Sequence, residues 1–200
     1  MAILVAMVRT RTFDPSTALS RAVELFSSKG YSETSMEDIV QATGVSRYGL
    51  YGTFGNKREL FEQALDRYAD SMGKQAFLRL LEPGASLEHI RRIFEERVAD
   101  MCAVEENKGC LFIHTAMELA PQDNDLRDVL QKFMGRMGKL FAVGLESAKT
   151  RGEVRADLDV TAAGELLTST MFGLAVLGRS GFPKATLDGI VDSTLGSLTD

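Results

Sequence analysis

Apolar residues recur at helical spacing along almost all of this 200-residue chain, and no stretch alternates as a half-buried strand does. That pattern restricts the fold to an all-α arrangement. Glycine, proline and capping residues then divide it. A first helix is expected over 15–29, with Pro15 in its first turn, Ala18, Ala22, Leu25 and Phe26 on one stripe, and Gly30 as its stop. Ser35 caps a short second helix carrying Glu37 and Asp38 in its first turn, and Gly44 ends it. Ser46 caps a third, closed by Gly52 and Gly55 near Phe54. Asn56 and Glu59 form a capping-box pair for a long helix to Leu81, where "EPGAS" breaks the chain. Further helices are expected near 86–106, 109–120, 123–150, 159–179 and 184–198. The architecture these imply is a small N-terminal unit of three helices joined by a fourth to a larger helical bundle.

Composition excludes several classes. Apolar content of 44% and charged content of 26% are those of an ordinary globular protein. No apolar run reaches the roughly 20 residues of a membrane span, so no membrane partner is expected. The opening "MAILVAMV" is apolar, but no basic region precedes it and no small-residue cleavage site follows. It reads as a disordered leader, or Met7 is the true start. Two cysteines without paired spacing argue against a disulfide scaffold or a zinc knuckle, and fit a reducing cytoplasm. The net charge of −5 is unevenly spread: residues 1–60 carry seven Lys/Arg and six Asp/Glu, whereas the remaining 140 carry 16 and 22. The acidity belongs to the back of the molecule, which permits a DNA-binding front.

The stretch "ATGVSRYGLYGTFGNKREL", residues 42–60, holds four glycines, three aromatics and three basic residues. Two short helices joined by a turn at Gly44 make a helix-turn-helix. In that motif the first residues of the second helix approach base edges in the major groove, and here they are Ser46, Arg47, Tyr48 and Gly49. Arg47 suits a bidentate pair with guanine. Gly49, lacking a side chain, lets a neighbour approach closely. Tyr51, Thr53 and Lys57 gather within three turns of it, and Tyr51 and Lys57 are placed to hold phosphates. Thr34 and Ser35 are placed likewise, with the amides opening the second helix. Structural alternatives stand beside these readings: Arg47 as a surface arginine, Tyr51 packing on Phe54.

The residues from "ALSRAVELFSSKGYSETS" through "MEDIVQATGVSRYGLYGTFGNKRELFEQAL" resemble the DNA-binding domain of the TetR family of transcriptional regulators. The landmarks are Ala22, Leu25, Phe26, Gly30, Tyr31, Thr34, Ser35, Asp38 and Ile39, continued by Gly44, Val45, Ser46, Leu50, Tyr51, Phe54, Lys57 and Leu60. Tyr48 stands where the family usually has a small residue, Gly49 where it has Ser or Thr, and Thr53 where His is common, so no operator sequence carries over. The resemblance implies a flexible arm over 1–13, a helix-turn-helix domain over 14–60 and a ligand-sensing, dimerising domain over 61–200. It also implies a cytoplasmic homodimeric repressor without a cofactor, released from a palindromic double-stranded DNA operator by a small-molecule effector. "RTRTFD" is similar to basic arms that reach the minor groove in some members, through Arg9 and Arg11, although a solvated tail is the favoured reading of the residues.

In the larger domain, Gly164, Gly173, Gly189 and Gly196 lie on the last two helices, where small residues let helices cross closely, as an isologous dimer interface needs. An effector pocket is expected from Met101, Phe112, Met117, Phe133, Met137, Phe141, Met171 and Phe172, unless these are simply core. "KGCLFIHTAMELAP" resembles a TetR subgroup that includes the N-ethylmaleimide reductase repressor, whose matching cysteine responds to electrophiles; the match here is Cys110. A helix N-terminus favours its thiolate, with His114 one turn later and Lys108 two residues before. Cys102, mid-helix, is expected in the core. Two other classes stand beside the regulator. A helical dimer that has lost DNA binding would keep the bundle without salt-sensitive affinity. A thiol enzyme would use Cys110 and His114, with Glu118 at i+8, but nothing supplies an oxyanion site, and neither catalysis nor metal binding is expected.

Overall fold

The computed structural model describes residues 13–73, 77–103 and 109–199. The basic arm with Arg9 and Arg11, and Lys108, lie outside them. Among the described residues the chain is helical without strands: α1 (Pro15–Lys29), α2 (Met36–Thr43), α3 (Arg47–Phe54), α4 (Lys57–Gly73), α5 (Leu87–Ala103), α6 (Leu111–Glu118), α7 (Asn124–Thr150), α8 (Val160–Arg179) and α9 (Lys184–Gly196).

Local chemistry sets the first four. Asp14 accepts from the Ser16 and Thr17 amides and starts α1 one residue ahead of Pro15. Ser35 and Asp38 form a reciprocal capping box on α2. Gly44 ends α2 in the left-handed region (φ 69°, ψ 14°), where its N–H returns to the Val40 carbonyl at 2.9 Å. Ser46 caps α3 through the Gly49 amide. Asn56 and Glu59 make the expected reciprocal pair at the start of α4.

The fourth helix is shorter than expected. It ends at Gly73, and Phe77–Leu81 forms a separate 3-10 turn. Three residues per turn put Phe77 and Leu80 on one side, and both are buried. Phe77 lands edge-on against Phe141 of α7, 5.2 Å between ring centres, and Phe141 also stacks on Phe94 of α5 at 5.7 Å. The N-terminal unit has its own aromatic centre: Phe26 of α1 meets Phe61 of α4 edge-on at 5.1 Å, and Tyr31 meets Phe61 at 4.9 Å. Because Phe61, Ala64 and Leu65 are buried with Ala18, Ala22 and Phe26, α4 runs across the expected boundary at residue 60.

The four glycines expected at a dimer interface divide into two kinds. Gly164 is internal: a side-chain carbon there would lie 2.3 Å from the Gly138 carbonyl of α7, so this glycine sets how closely α7 and α8 cross within one protomer. At Gly173, Gly189 and Gly196 an added carbon would meet nothing within 4 Å. By length and composition α8 is the one helix among the described residues apolar enough to cross a membrane, although no apolar run that long was evident in the sequence. Cys102 is exposed rather than in the core, because α5 buries Ile90, Ile93, Phe94 and Val98, and residue 102 falls off that stripe.

Gly164→Ala should destabilise the fold by about 1–3 kcal/mol in urea unfolding, because backbone rather than a flexible side chain blocks the new methyl. Gly173→Ala should cost far less.

Candidate nucleic-acid interface

The turn at Gly44 and the cap at Ser46 present α3 with Leu50 and Phe54 inward, 1% and 5% exposed. Arg47, Tyr48 and Tyr51 face out, with Tyr48 at 76% and Tyr51 at 45% exposure. Tyr51 therefore does not pack away against Phe54. The Arg47 guanidinium pairs with Glu37 of α2 at 2.9 Å, which ties the outer end of the reading helix to the start of its neighbour. Both partners are largely exposed, so the pair adds little stability and leaves the arginine able to change partners. Gly49 is half-buried, and a side-chain carbon there would lie 3.0 Å from Val45 and 3.3 Å from Phe13. Its small size thus admits Val45 and also Phe13, just before α1, a contact with no local signal in the sequence. Thr53 is half-buried on the same helix.

The expected phosphate contacts are placed unevenly. Lys57, at the first position of α4, holds its amine 4.2 Å over the centre of the Tyr31 ring. Burial pushes its pKa below the ordinary lysine value, against the pull of Glu118 and Asp38. Ser35 opens α2, but its own amide donates to Asp38 at 2.7 Å. Asp38 in turn takes Lys29 at 2.8 Å, and Lys29 and Ser35 together hold its carboxyl far below the ordinary range. Thr34 corrects the expectation of a phosphate-facing hydroxyl. It is 1% exposed, its hydroxyl donates to the Gly30 carbonyl at 2.5 Å and its amide to Tyr31, so it builds the loop between α1 and α2.

Residues 18–64 match the family described as bacterial regulatory proteins, tetR family, and residues 86–181 match the tetracyclin repressor-like C-terminal domain. The chain belongs to the TetR family. Among its relatives, the uncharacterized HTH-type transcriptional regulator YezE of Bacillus subtilis is 33% identical over 96% of this chain and 100% of that one. The HTH-type transcriptional repressor ComR of Escherichia coli is 30% identical over 94% of this chain and 90% of its own length. Among solved structures, the TetR family regulator CifR, a cysteine mutant complexed with 26-base-pair operator DNA, is similar at a TM-score of 0.82 and 29% identity, covering 94% of this chain and 99% of that one. This TetR-family chain is a transcriptional regulator and not an enzyme.

Among the described residues, three polar ties join the reading unit of this regulator to its larger domain. The Ser32 amide donates to Glu118 of α6 at 3.0 Å; Arg58 of α4 pairs with Asp123, the cap of α7; and Arg179 at the end of α8 donates to the Ser28 carbonyl at 2.8 Å. Asp123 and Glu62 raise the Arg58 pKa, so this guanidinium stays charged. His114 contacts the Glu118 carboxylate at 3.1 Å, which turns the imidazole toward the joint. Burial alone would push Glu118 up; the Ser32 amide and His114 outweigh it and hold the carboxyl below the ordinary glutamate range. None of these ties had a local signal in the sequence, because each joins residues far apart in the chain.

Beside the joint, a cleft of about 340 Å3 opens between α6 and the end of α8, with Cys110, His114, Met117, Val176 and Arg179 among its lining. Of the residues expected at an effector site, Cys110, His114 and Met117 line this cleft. Phe112, Met137 and Phe141 do not: all are buried in the core, Phe112 stacking on Phe133 at 3.9 Å. Phe133 and Met171 are buried in the same core, and Met101 and Phe172 pack half-buried against it. The Tyr68 hydroxyl of α4 lies beside the Cys110 thiol, and burial first, then that neighbour, push the tyrosine's pKa up.

Glu118→Gln should lower urea-unfolding stability near neutral pH by about 1 kcal/mol. A carboxyl whose folded pKa is depressed contributes above its unfolded value and loses that contribution as pH falls. The gap between variant and parent should therefore close below about pH 4.

Proposed function

We propose that this regulator is a cytoplasmic homodimeric repressor, released from a palindromic operator by an effector that acts at the joint between its two units. The outward presentation of Arg47, Tyr48 and Tyr51 on a helix pinned by Leu50 and Phe54 supports the reading head most directly. Arg47 reads guanine, Tyr48 and Gly49 adjust the choice of base, and Tyr51, Thr53 and Lys57 hold the backbone along with Ser35 and the amides opening α2. The likeness to an operator-bound regulator supports this placement.

The dimer forms through α8 and α9. Leu166, Ser169 and Gly173 on α8, with Thr186, Gly189, Ser193 and Gly196 on α9, make exposed uncharged faces at helical spacing. The three glycines among them have open space outside the protomer. Such faces suit close helix crossing with a second copy, and pairing them accounts for the apolarity of α8 without a membrane. Cys110 and His114 sit on the α6–α8 cleft, so a reversible ligand and a thiol reagent would both act next to the ties to Ser28 and Ser32. Loosening those ties shifts α4 and the spacing of the two reading helices, which lowers affinity by a shift between two dimer states.

Fluorescence anisotropy with DNA from upstream of its own gene tests the reading. Tight, sequence-dependent binding with a steep salt slope is expected, and Arg47→Ala should weaken operator binding by about 1–3 kcal/mol with the dimer intact. Unchanged affinity in that variant would remove Arg47 from the reading head. Sedimentation should show Gly173→Glu with Gly189→Glu as a monomer at concentrations where the parent is a dimer; a dimeric variant would move the interface elsewhere.

A further inference from the structure

Building on the reading that an effector releases this repressor, we propose that the α6–α8 cleft takes small monocarboxylates with an apolar body, and that the carboxylate claims Arg179 from the DNA-binding unit. The charge distribution of the cleft sets both the ligand class and its orientation. At one end α6 begins after Cys110, whose side chain makes no cap hydrogen bond; Tyr68 takes the Leu111 amide, and the helix dipole makes this end positive. The Arg179 guanidinium lies at the same end: a side-chain carbon on Gly109, just ahead of Cys110, would be 2.8 Å from its Nη1. Glycine at 109, with φ of +73°, admits that approach. Two positive features thus converge where the chain enters α6.

The walls between are apolar, formed by Ile113, Met117, Ala175 and Val176. At the far end stands Glu118, occupied by His114 and the Ser32 amide. Among the described residues, Cys110, with Tyr68 behind it, completes the titratable groups that face the cleft. A carboxylate is drawn to the Arg179 end and repelled from the Glu118 end, so an apolar body lies along Ile113 and Met117. A cation would meet the reverse field and a neutral molecule no anchor.

Arg179 gives this site its consequence. Its Nη2 donates to the Ser28 carbonyl, at the end of α1, 2.8 Å away. A ligand carboxylate forms an often bidentate ion pair with guanidinium, adding a second hydrogen bond and an opposite charge that the Ser28 carbonyl lacks. The ligand therefore favours the state in which Arg179 has left Ser28, and this differential affinity couples the cleft to DNA binding. Arg179 is a ligand-binding residue in one state and an interdomain tie in the other.

Benzoate and its uncharged analogue benzamide serve as probes, tested on the full-length dimer by calorimetry without DNA and by operator anisotropy. Benzoate should bind at least about tenfold more tightly than benzamide, and only benzoate should weaken operator binding. Arg179→Gln should erase the preference for benzoate and bind operator more weakly without any ligand. Ala175→Leu, which adds bulk to the wall and leaves Arg179 in place, should lose benzoate binding yet keep parental operator affinity. Equal binding of the two probes, failure of benzoate to bind, or a preference that survives Arg179→Gln would overturn the site. Benzoate held through Arg179 with operator affinity unchanged would overturn the competition. Absence of any sequence-specific DNA binding would instead overturn the repressor reading, and calorimetry would still decide the site.

Discussion

Phe61 pressed edge-on between Phe26 and Tyr31 is the contact on which the rest of this molecule depends. It fixes α4 to α1, and α4 belongs to both units. Its first turn carries Lys57 over the Tyr31 ring and Arg58 toward Asp123, while its later turns bring Tyr68 to Cys110 and Phe112. A displacement of α4 therefore moves the base of the reading unit and the lining of the larger domain together. The aromatic cluster costs nothing in unsatisfied polar groups and buries large area, so it holds while the polar ties around it change partners.

Those polar ties share a geometry suited to control. Glu118, Asp123 and Arg179 come from three successive parts of the larger domain, and all reach the small unit through one or two hydrogen bonds rather than through packed apolar surface. Bonds of this kind are individually worth on the order of 1 kcal/mol. They are strong enough together to define an orientation and weak enough separately for a small ligand to compete with one of them.

The sequence was most legible where structure is decided locally. Gly44, Ser46, Asn56 and Glu59 announce their turns and caps by residue type alone, and each behaves as its chemistry requires. The long helices were legible because their stripes repeat many times. Tertiary decisions were not legible. Phe112 and Phe141 have the composition of a pocket lining, yet their rings find aromatic partners and close the core. Thr34 has a hydroxyl at the right place in the chain for a phosphate, but the loop turns it inward. Gly164 and Gly173 read alike as small residues on one helix, and only the position of α7 separates an internal crossing from an outward face. Glu118 attracted notice for its spacing from Cys110 and His114, whereas its partner lies 86 positions earlier in the chain.

The seating of Phe13 against Gly49 bears on how such a protein diversifies. A side chain at 49 would crowd Val45 and displace Phe13, and Leu50 and Phe54 are committed to the core. The outward surface is narrow: positions 47, 48 and 51 face out, and at exposed Gly52 an added side-chain carbon would meet nothing within 4 Å. New operator preferences are channelled through this outward face, and the Ser or Thr that the family places at 49 would require Val45 and Phe13 to give way. The contact between residues 13 and 49 thus bears on which DNA sequences lie a single substitution away.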